Sequence, residues 1–160
     1  MHGVDPAQFR QLLGSFATGV TVLTTRAPDG RPIGMTASSV ASVSLDPPLL
    51  LVSVDRHHEM HEAMQAARHF VVNVLAADQE AVSRRFAGTD ENRFDGIRYH
   101  TSTQGIPVLD GVLGSIECLK QAAFPGGDHT VFFGLVVGGG VSDRRPLLYY
   151  RGGYASLDGG

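Results

Sequence analysis

The sequence predicts a mainly β protein with flanking helices, built around an antiparallel barrel. Short runs of β-branched and apolar residues are separated by turns, and only a few helical patterns lie between them. Strands and helices do not alternate regularly, as a doubly wound parallel sheet would require. With 160 residues, the chain has the length of a single domain covering residues 1–160.

The chain opens with an amphipathic helix. Asp5-Pro6 is typical of an N-cap followed by a proline in the first helical turn. Apolar residues then recur on one helical face, at Phe9, Leu12, Leu13 and Phe16. Gly19 is expected to end this helix.

The remaining elements follow from periodicity and turn residues. We expect strands over residues 20–25, 49–54, 69–75, 112–123, 129–138 and 147–150, and helices over residues 56–67 and 76–86. The apolar positions of the last helix are Ala81, Val82 and Phe86. Pro28-Asp29-Gly30 predicts a hairpin turn, and Pro47-Pro48 is expected to interrupt the sheet. The apolar run 49–54 predicts a strand buried on both faces, and the polar residues 88–109 predict a surface excursion.

Composition excludes several classes of function. The net charge is −3 and the 13 Lys and Arg residues are scattered singly, whereas a nucleic-acid surface needs a concentrated basic patch. No apolar run reaches the roughly 18 residues that span a bilayer, and the N-terminus lacks the pattern of a signal peptide. We therefore expect a soluble, cytoplasmic protein that binds neither nucleic acid nor membrane.

Common catalytic and metal-binding patterns are missing from the sequence. It has no glycine-rich dinucleotide motif, no P-loop and no G-x-S-x-G elbow. Cys118, the only cysteine, lies in an alternating strand-like run, which favours an inert packing role over a catalytic thiol. Histidines and glutamates cluster at His57, His58, Glu59, His61 and Glu62. Their spacing favours a solvated helix face over a metal site, and no metal is expected.

The most informative stretch is residues 34–56, and its first part, residues 34–44, is the hydroxyl-rich segment. Its hydroxyl side chains are Thr36, Ser38, Ser39, Ser42 and Ser44. Small side chains let a ligand approach the backbone, and hydroxyls donate hydrogen bonds to phosphate or polyol oxygens. From the residues alone, a ligand-binding segment and a barrel strand with hydroxyls on its exposed face both remain open.

Residues 34–56 closely resemble a signature of the flavin reductase-like family, the small reductase components of two-component flavin-dependent monooxygenases. The matching pattern, G-x-T-A-x-S-x-x-S-x-S-x-x-P-P-L, begins at Gly34. Residues 16–22, 70–75, 86–88, 127–134 and 146–154 also match the family in order and type. The resemblance therefore covers nearly the whole chain.

This resemblance implies a fold, an activity and partners. The fold is a six-stranded antiparallel split β-barrel of Greek-key type with flanking helices, usually a homodimer with flavin sites near the subunit interface. The activity is reduction of FMN or FAD by hydride from NADH or NADPH, with reduced flavin passed to a partner monooxygenase. The choice of flavin and nicotinamide, the status of the flavin as bound group or substrate, and the identity of the monooxygenase stay open.

The resemblance also implies a flavin site. The flavin would be lined by Met35, Thr36, Ala37, Ser38 and Ser39, the last two nearest its ribityl and phosphate groups. An adjacent wall would comprise Ser53, Val54, Asp55 and Arg56, with Arg56 as the candidate cation. Phe86, Ala87 and Gly88 would approach the phosphate end, and a helix end capped by Gly88 is an equal alternative.

Fewer residues are implied for the nicotinamide pocket. His129 resembles the histidine that family members place beside the nicotinamide, which makes it the catalytic candidate; a surface histidine is the alternative. Arg151 and Tyr154 join it more weakly. Where many members have Gly-Glu, this chain has Gly134-Leu135, so any role of that acidic residue is absent here.

Two other functions stay open. A pyridoxine phosphate oxidase-like enzyme also uses a split barrel, but its second phosphate needs clustered basic residues that this sequence lacks. A non-catalytic flavin-binding or carrier protein would keep the hydroxyl-rich segment without a nicotinamide pocket. His129 discriminates between the reductase and the carrier.

Overall fold

A computed structural model of the protein describes residues 2–157; Met1 and residues 158–160, which the one-domain expectation includes, lie outside this range. Its helices are α1 (Pro6–Gly14), α2 (Glu59–Ala66) and α3 (Glu80–Ala87). Its strands are β1 (Thr18–Gly19), β2 (Thr21–Arg26), β3 (Pro32–Ala37), β4 (Val40–Leu45), β5 (Pro48–Asp55), β6 (His69–Val74), β7 (Tyr99–Thr101), β8 (Pro107–Leu109), β9 (Gly114–Gly126), β10 (His129–Val141), β11 (Leu147–Tyr150) and β12 (Gly153–Ser156). The expected mainly β class with flanking helices is confirmed. None of the described helices is long and apolar enough to cross a membrane.

Three antiparallel sheets organise the described residues. The largest has the strand order β3-β2-β6-β9-β10-β5-β4, a second joins β1, β11 and β12, and the third is the hairpin β7–β8. The end strands β3 and β4 do not pair with each other, so within residues 2–157 the large sheet is not a closed barrel. It also contains seven strands rather than the six expected.

Helix α1 begins as predicted and ends earlier. Asp5 caps it by accepting a hydrogen bond from a first-turn N–H. The helix ends at Gly14 rather than Gly19, because the Ser15 hydroxyl donates to the Leu12 carbonyl (2.6 Å) and competes for the last helical bonds. The apolar side chains of the predicted face are all more than half exposed: Phe9 55%, Leu12 54% and Leu13 52% in α1, and Phe16 73% just after it.

The hydroxyl-rich segment forms two strands. β2 and β3 make the predicted hairpin at Pro28-Asp29-Gly30, and Ser38 and Ser39 then separate β3 from β4. β5 includes Pro48 instead of beginning after it. Its burial alternates, with Leu50, Val52 and Val54 buried and Leu49, Leu51 and Ser53 half-buried. The expectation that this strand is buried on both faces is wrong, because no described element covers its second face.

The two later helices are shorter than predicted. α2 falls inside residues 56–67, and α3 begins at Glu80 rather than at residue 76. On α3, Ser83 and Phe86 are buried and Val82 is half-buried, whereas Ala81 is exposed. Ala81 was therefore wrongly assigned to the apolar face.

Residues 88–109 are more than a surface excursion. They contain the β7–β8 hairpin and contribute the buried side chains Arg93, Ile106, Val108 and Leu109. Strands of three residues are too short to show a detectable alternation of apolar and polar residues. The polar composition of the region therefore predicted a surface excursion.

The β9–β10 hairpin dominates the large sheet. Each strand has 13 residues, so both extend beyond their predicted ends. Residues 138–140 are all glycine, which weakens the strand pattern and explains the early predicted end of β10. β12 begins at Gly153, which weakens the strand pattern in the same way, and the sequence therefore did not predict this strand.

Buried polar side chains tie β2, β6 and β8 together. The fully buried Asn73 donates through Nδ2 to the Val22 carbonyl (2.9 Å) and to Thr24 Oγ1 (3.0 Å). Its Oδ1 accepts from the Leu109 N–H (2.9 Å), and the Thr24 hydroxyl donates to the Pro107 carbonyl (2.5 Å). These bonds fix β8, and with it residues 88–109, to the large sheet.

We expect Asn73→Ala to lower the free energy of unfolding by about 3 kcal/mol, because it leaves the buried Leu109 N–H without its partner and removes the two hydrogen bonds that Asn73 donates. Urea denaturation followed by circular dichroism measures the change. Asn92→Ala, at an exposed position within residues 88–109, is the matched control and should change the free energy of unfolding by less than about 0.5 kcal/mol. Equal losses in the two variants would show that the Asn73 network does not support the fold.

Candidate functional site

Ser38 and Ser39, between β3 and β4, connect two groups of the predicted residues. Ser38 lines a cavity beside α3 and β12, and within residues 2–157 its hydroxyl makes no hydrogen bond. The Ser39 hydroxyl donates to the Ser53 carbonyl (3.1 Å) and accepts from the Ser53 N–H (3.4 Å). The first group therefore surrounds Ser38, and the second lies along β5.

The cavity at Ser38 has a volume of about 180 Å³. It is lined by Val20, Thr36, Ala37, Ser38, Ser83, Ala87, Tyr149 and Tyr154. Ser83, Tyr149 and Val20 were missed by the sequence analysis. A signal for Ser83 existed, because it lies three residues before Phe86 and so shares the buried face of α3.

Ser83 joins the three elements that surround this cavity. Its hydroxyl lies 2.7 Å from the Tyr154 hydroxyl on β12, and its carbonyl accepts from the Thr36 hydroxyl on β3 (2.6 Å). The Arg84 guanidinium stacks on the Tyr154 ring, 4.9 Å from its centroid. The Ala37 carbonyl accepts from the Thr21 hydroxyl (2.6 Å). Ser38 therefore provides a free hydroxyl to the cavity, whereas the hydroxyl of Thr36 is used by the protein.

The second group lies where β5 meets the start of β10. Asp55 and His129 are opposite each other in the strand register, and His129 Nδ1 lies 2.7 Å from Asp128 Oδ1. The Asp55 carboxylate accepts from the His57 N–H (2.8 Å) and contacts His57 Nδ1 (3.2 Å). These contacts, the backbone bond first, lower the pKa of Asp55. Arg56 is exposed, and its guanidinium has no hydrogen bond or ion pair within residues 2–157.

Several predicted residues have no side chain available to a ligand. Val54 and Phe86 are fully buried, and Met35 packs against the core. The Phe86 ring lies beneath Gly34, where a Cβ would come within 2.6 Å of it, so this glycine permits the close packing of β3 on α3. Gly88 ends α3 with an ordinary negative φ of −77°, which matches the helix-end alternative.

Arg151 and Tyr154 lie with Ser38 and apart from His129. Arg151, at the turn between β11 and β12, has a φ of 49° and places its guanidinium 5.1 Å from the Tyr150 ring centroid. It lines a second cavity of about 350 Å³ that includes Ser38, Tyr149 and the apolar face of α1. His129 lines neither cavity.

Two of the clustered histidines, His58 and His61, form hydrogen bonds within the fold. His58 caps α2, with Nδ1 accepting from the Met60 N–H (3.0 Å), and His61 Nε2 lies 2.8 Å from Thr130 Oγ1. Both rings are half-buried, so the expected solvated helix face is wrong for them. Within residues 2–157, no three His, Cys, Asp or Glu side chains are grouped so as to hold a metal ion.

Cys118 lies in the core, away from both groups. Its side chain is fully buried, and burial raises the pKa of its thiol to about 12. The thiol is therefore protonated at neutral pH, which favours the packing role over a nucleophile.

Comparison with known proteins identifies the family. The model of the flavin reductase like domain matches residues 13–158. The chain belongs to the flavin reductase-like domain family. This match includes the hydroxyl-rich segment, both groups of predicted residues and the cavity at Ser38.

Similar proteins carry related names. FMN reductase (NADH) SmoA from Agrobacterium fabrum (strain C58) is 43% identical over 152 residues, 95% of this chain and 86% of SmoA. HsaB from Rhodococcus jostii (strain RHA1), the reductase subunit of a flavin-dependent monooxygenase, is 40% identical over 158 residues, 98% of this chain and 80% of HsaB. The solved structure of the NADH:FAD oxidoreductase SgcE6 of Streptomyces globisporus C-1027, in complex with NAD and FAD fragments, superimposes with a TM-score of 0.92 at 36% identity, covering 99% of this chain and 98% of SgcE6.

Proposed function

We propose that this protein is an NAD(P)H-dependent flavin reductase that reduces FMN or FAD and supplies reduced flavin to a partner monooxygenase. The observation that carries the proposal is the cavity at Ser38, where a free hydroxyl from the segment that bears the family signature lies beside the tyrosine rings of β11 and β12. The names of SmoA, HsaB and SgcE6 support the reaction, the nicotinamide and the partner class. NADH is the first nicotinamide to test, and the cytoplasmic location stays a prediction.

The donor set fits a flavin nucleotide. Its phosphate carries nearly two negative charges, which hydroxyl groups and a guanidinium stabilise. Ser38 offers an unused hydroxyl, and Arg56 offers a guanidinium without a counter-ion among residues 2–157. Tyr149 and Tyr154, in edge-to-face contact at 5.3 Å, offer an aromatic surface. We assign flavin binding to these residues, with Ser39, Ser53 and Asp55 in the adjacent wall.

A bound flavin supplies the hydride-accepting ring, so the protein contributes binding and orientation. His129 is suited to hold the nicotinamide carboxamide. Asp128 can accept the proton on Nδ1, and the tautomer that carries its proton there presents Nε2 as an acceptor for an amide N–H. We propose that Arg151 contacts the flavin rather than the nicotinamide, because it lines the second cavity together with Ser38.

We also propose a homodimer with the split-barrel topology expected from the sequence. β3 packs against β5 although the two lie apart in the strand order, which supports a large sheet that curls around one core. The outer face of β4, β5 and β10 exposes apolar side chains, with Val43 43% and Leu45 91% exposed. Leu51 and Phe133, paired across β5 and β10, are only half-buried. This face is where we place the partner subunit.

The proposed activity predicts catalytic loss of NADH absorbance and flavin colour when the protein is mixed anaerobically with NADH and FMN or FAD. His129→Ala is expected to raise the KM for NADH about tenfold, while the flavin Kd stays within about twofold. His100→Ala, which removes an exposed histidine on β7 that contacts Asp110, is the matched control and should change neither constant. Flavin binding without turnover would favour the carrier, and turnover of a pyridoxine phosphate would favour the oxidase.

Ser38→Ala should weaken binding of FMN by about 10- to 100-fold, because a hydrogen bond to a charged phosphate is worth about 1.5–3 kcal/mol. Flavin fluorescence quenching gives the dissociation constant. Ser42→Ala on β4, an exposed serine outside the cavity, is the control. A flavin affinity that is the same in wild type and in Ser38→Ala would contradict the assignment of the cavity.

The dimer predicts a sedimenting mass of about twice the 17.0 kDa of the chain. Leu45→Arg should shift the protein towards monomer, because the charge would be buried against the partner. Val141→Arg at the far end of β10 is the matched control, since Val141 is 90% exposed and Leu45 is 91% exposed. A wild-type monomer, or equal effects of the two substitutions, would exclude the proposed face.

A further inference from the structure

Arg93 is the one buried charged side chain among residues 2–157, with 7% of its surface exposed. A guanidinium is rarely buried unless it is paired and hydrogen-bonded. Arg93 forms an ion pair through Nη2 with the Glu59 carboxylate, and its Nη1 donates to the Gly88 carbonyl (3.2 Å). Nη1 also lies 3.3 Å from His58 Nε2.

These contacts connect two walls of the proposed flavin site. Glu59 is the first residue of α2, which begins shortly after Asp55 and Arg56. Gly88 ends α3 and directly follows Ala87, which lines the cavity at Ser38. One guanidinium therefore bonds to both segments.

The backbone that carries Arg93 is itself fixed to α3. The Arg85 guanidinium donates to the carbonyls of Arg93 (2.7 Å) and Asn92 (2.9 Å). The neighbouring Phe94 ring contacts the buried Phe86 ring edge-on at 5.0 Å. The side chain of Arg93 bonds to Glu59 and Gly88, and its backbone is bonded to Arg85. Arg93 is therefore a rigid connection between α2 and α3, because movement of either helix would break several bonds at once.

His58 contributes to the same connection. Burial, followed by the charge of Arg93, lowers the pKa of His58, while Glu59 and Asp55 oppose the shift. The neutral ring can accept the Met60 N–H and cap α2, which a protonated ring cannot do. Arg93 thus also favours the form of His58 that keeps the start of α2 in place.

We infer that Arg93 is a positioning residue for flavin, which sets the spacing between the segment after β5 and the end of α3. The inference rests on the proposed function and deepens it. A ligand that contacts both walls binds best when their spacing is fixed in advance, since it then orders fewer groups on binding. Arg93 itself does not line the cavity at Ser38.

The test compares Arg93→Gln with a variant that loosens the other end of α2. Lys120 Nζ donates to the carbonyls of Met64 (2.7 Å) and Gln65 (2.6 Å), so Lys120→Met removes bonds at the C-terminal end of this helix. We expect Arg93→Gln to raise the Kd for FMN and FAD, measured by fluorescence quenching, about tenfold. Lys120→Met should leave the flavin Kd within about twofold although it lowers the thermal midpoint.

The conservative variants separate positioning from stability. Arg93→Lys keeps a positive charge beside Glu59 but loses the hydrogen bond to the Gly88 carbonyl. Its flavin Kd should therefore lie between those of the wild type and Arg93→Gln. The KM for NADH should stay within about twofold in all Arg93 variants, which a general loss of structure would not allow. If Arg93→Gln does not fold, Arg93→Lys and Glu59→Gln provide the same comparison.

An unchanged flavin Kd in the Arg93 variants, or an equal rise in Lys120→Met, would overturn the positioning role while leaving the reductase proposal intact. A wild-type protein that binds neither FMN nor FAD would overturn the proposed function and this inference with it.

Discussion

The cavity at Ser38 depends on the hydrogen bonds of one buried residue, Ser83. It is the only point at which β3, α3 and β12 meet through polar groups in the described chain, with Thr36 bonded to its carbonyl and Tyr154 to its hydroxyl. This contact also holds β12 against α3. Without it, the Tyr154 hydroxyl would lose its hydrogen bond to α3, and the aromatic wall of the cavity would be held less firmly relative to Ser38.

The hydroxyl side chains divide between structure and site according to burial. Thr21, Thr24 and Thr25 are buried in β2, and each donates to a backbone carbonyl of a neighbouring segment. Such bonds satisfy carbonyls that the ladders leave open, and they make the hydroxyls unavailable to a ligand. Ser38 differs because the chain leaves the sheet there, so its hydroxyl is exposed and unused. Within the hydroxyl-rich segment, the hydroxyls of Thr36 and Ser39 are bonded to the protein, whereas Ser38, at the break between strands, lines the cavity with a hydroxyl that makes no hydrogen bond among residues 2–157.

Sequence periodicity predicted the elements whose burial follows from local pattern. The first hairpin and the strand at His69 have the β-branched runs and turn residues that determine them. The exposure of α1 was not predictable, because an apolar helical face says nothing about whether its partner lies in the same chain. The mainly β class and the family were thus readable from the sequence, whereas the open sheet of seven strands depends on long-range pairing.

The sequence indicated several residues of the cavity at Ser38, but it did not indicate how the predicted site residues are arranged. Thr36, Ser38 and Tyr154 do converge on one cavity, but Val54 and Phe86 are turned into the core. Burial of Phe86 requires the close approach that Gly34 permits, which no local pattern encodes. Arg56 and Arg93 look alike in sequence, yet one is exposed without a counter-ion among the described residues and the other is buried in an ion pair. That difference arises from tertiary contacts alone.

Three titratable groups, Asp55, His58 and Cys118, are held in forms that suit orientation rather than proton transfer. Asp55 has a lowered pKa and stays a carboxylate, so it is a poor general acid at neutral pH. Cys118 has a raised pKa and stays a thiol, and His58 has a lowered pKa and stays a neutral cap. A protein whose ligands carry the reactive atoms needs side chains that do not change charge during turnover, because each such change would alter the shape or potential of the site. The structure meets that requirement by committing Asp55 and His58 to backbone hydrogen bonds and by burying Cys118 in the core.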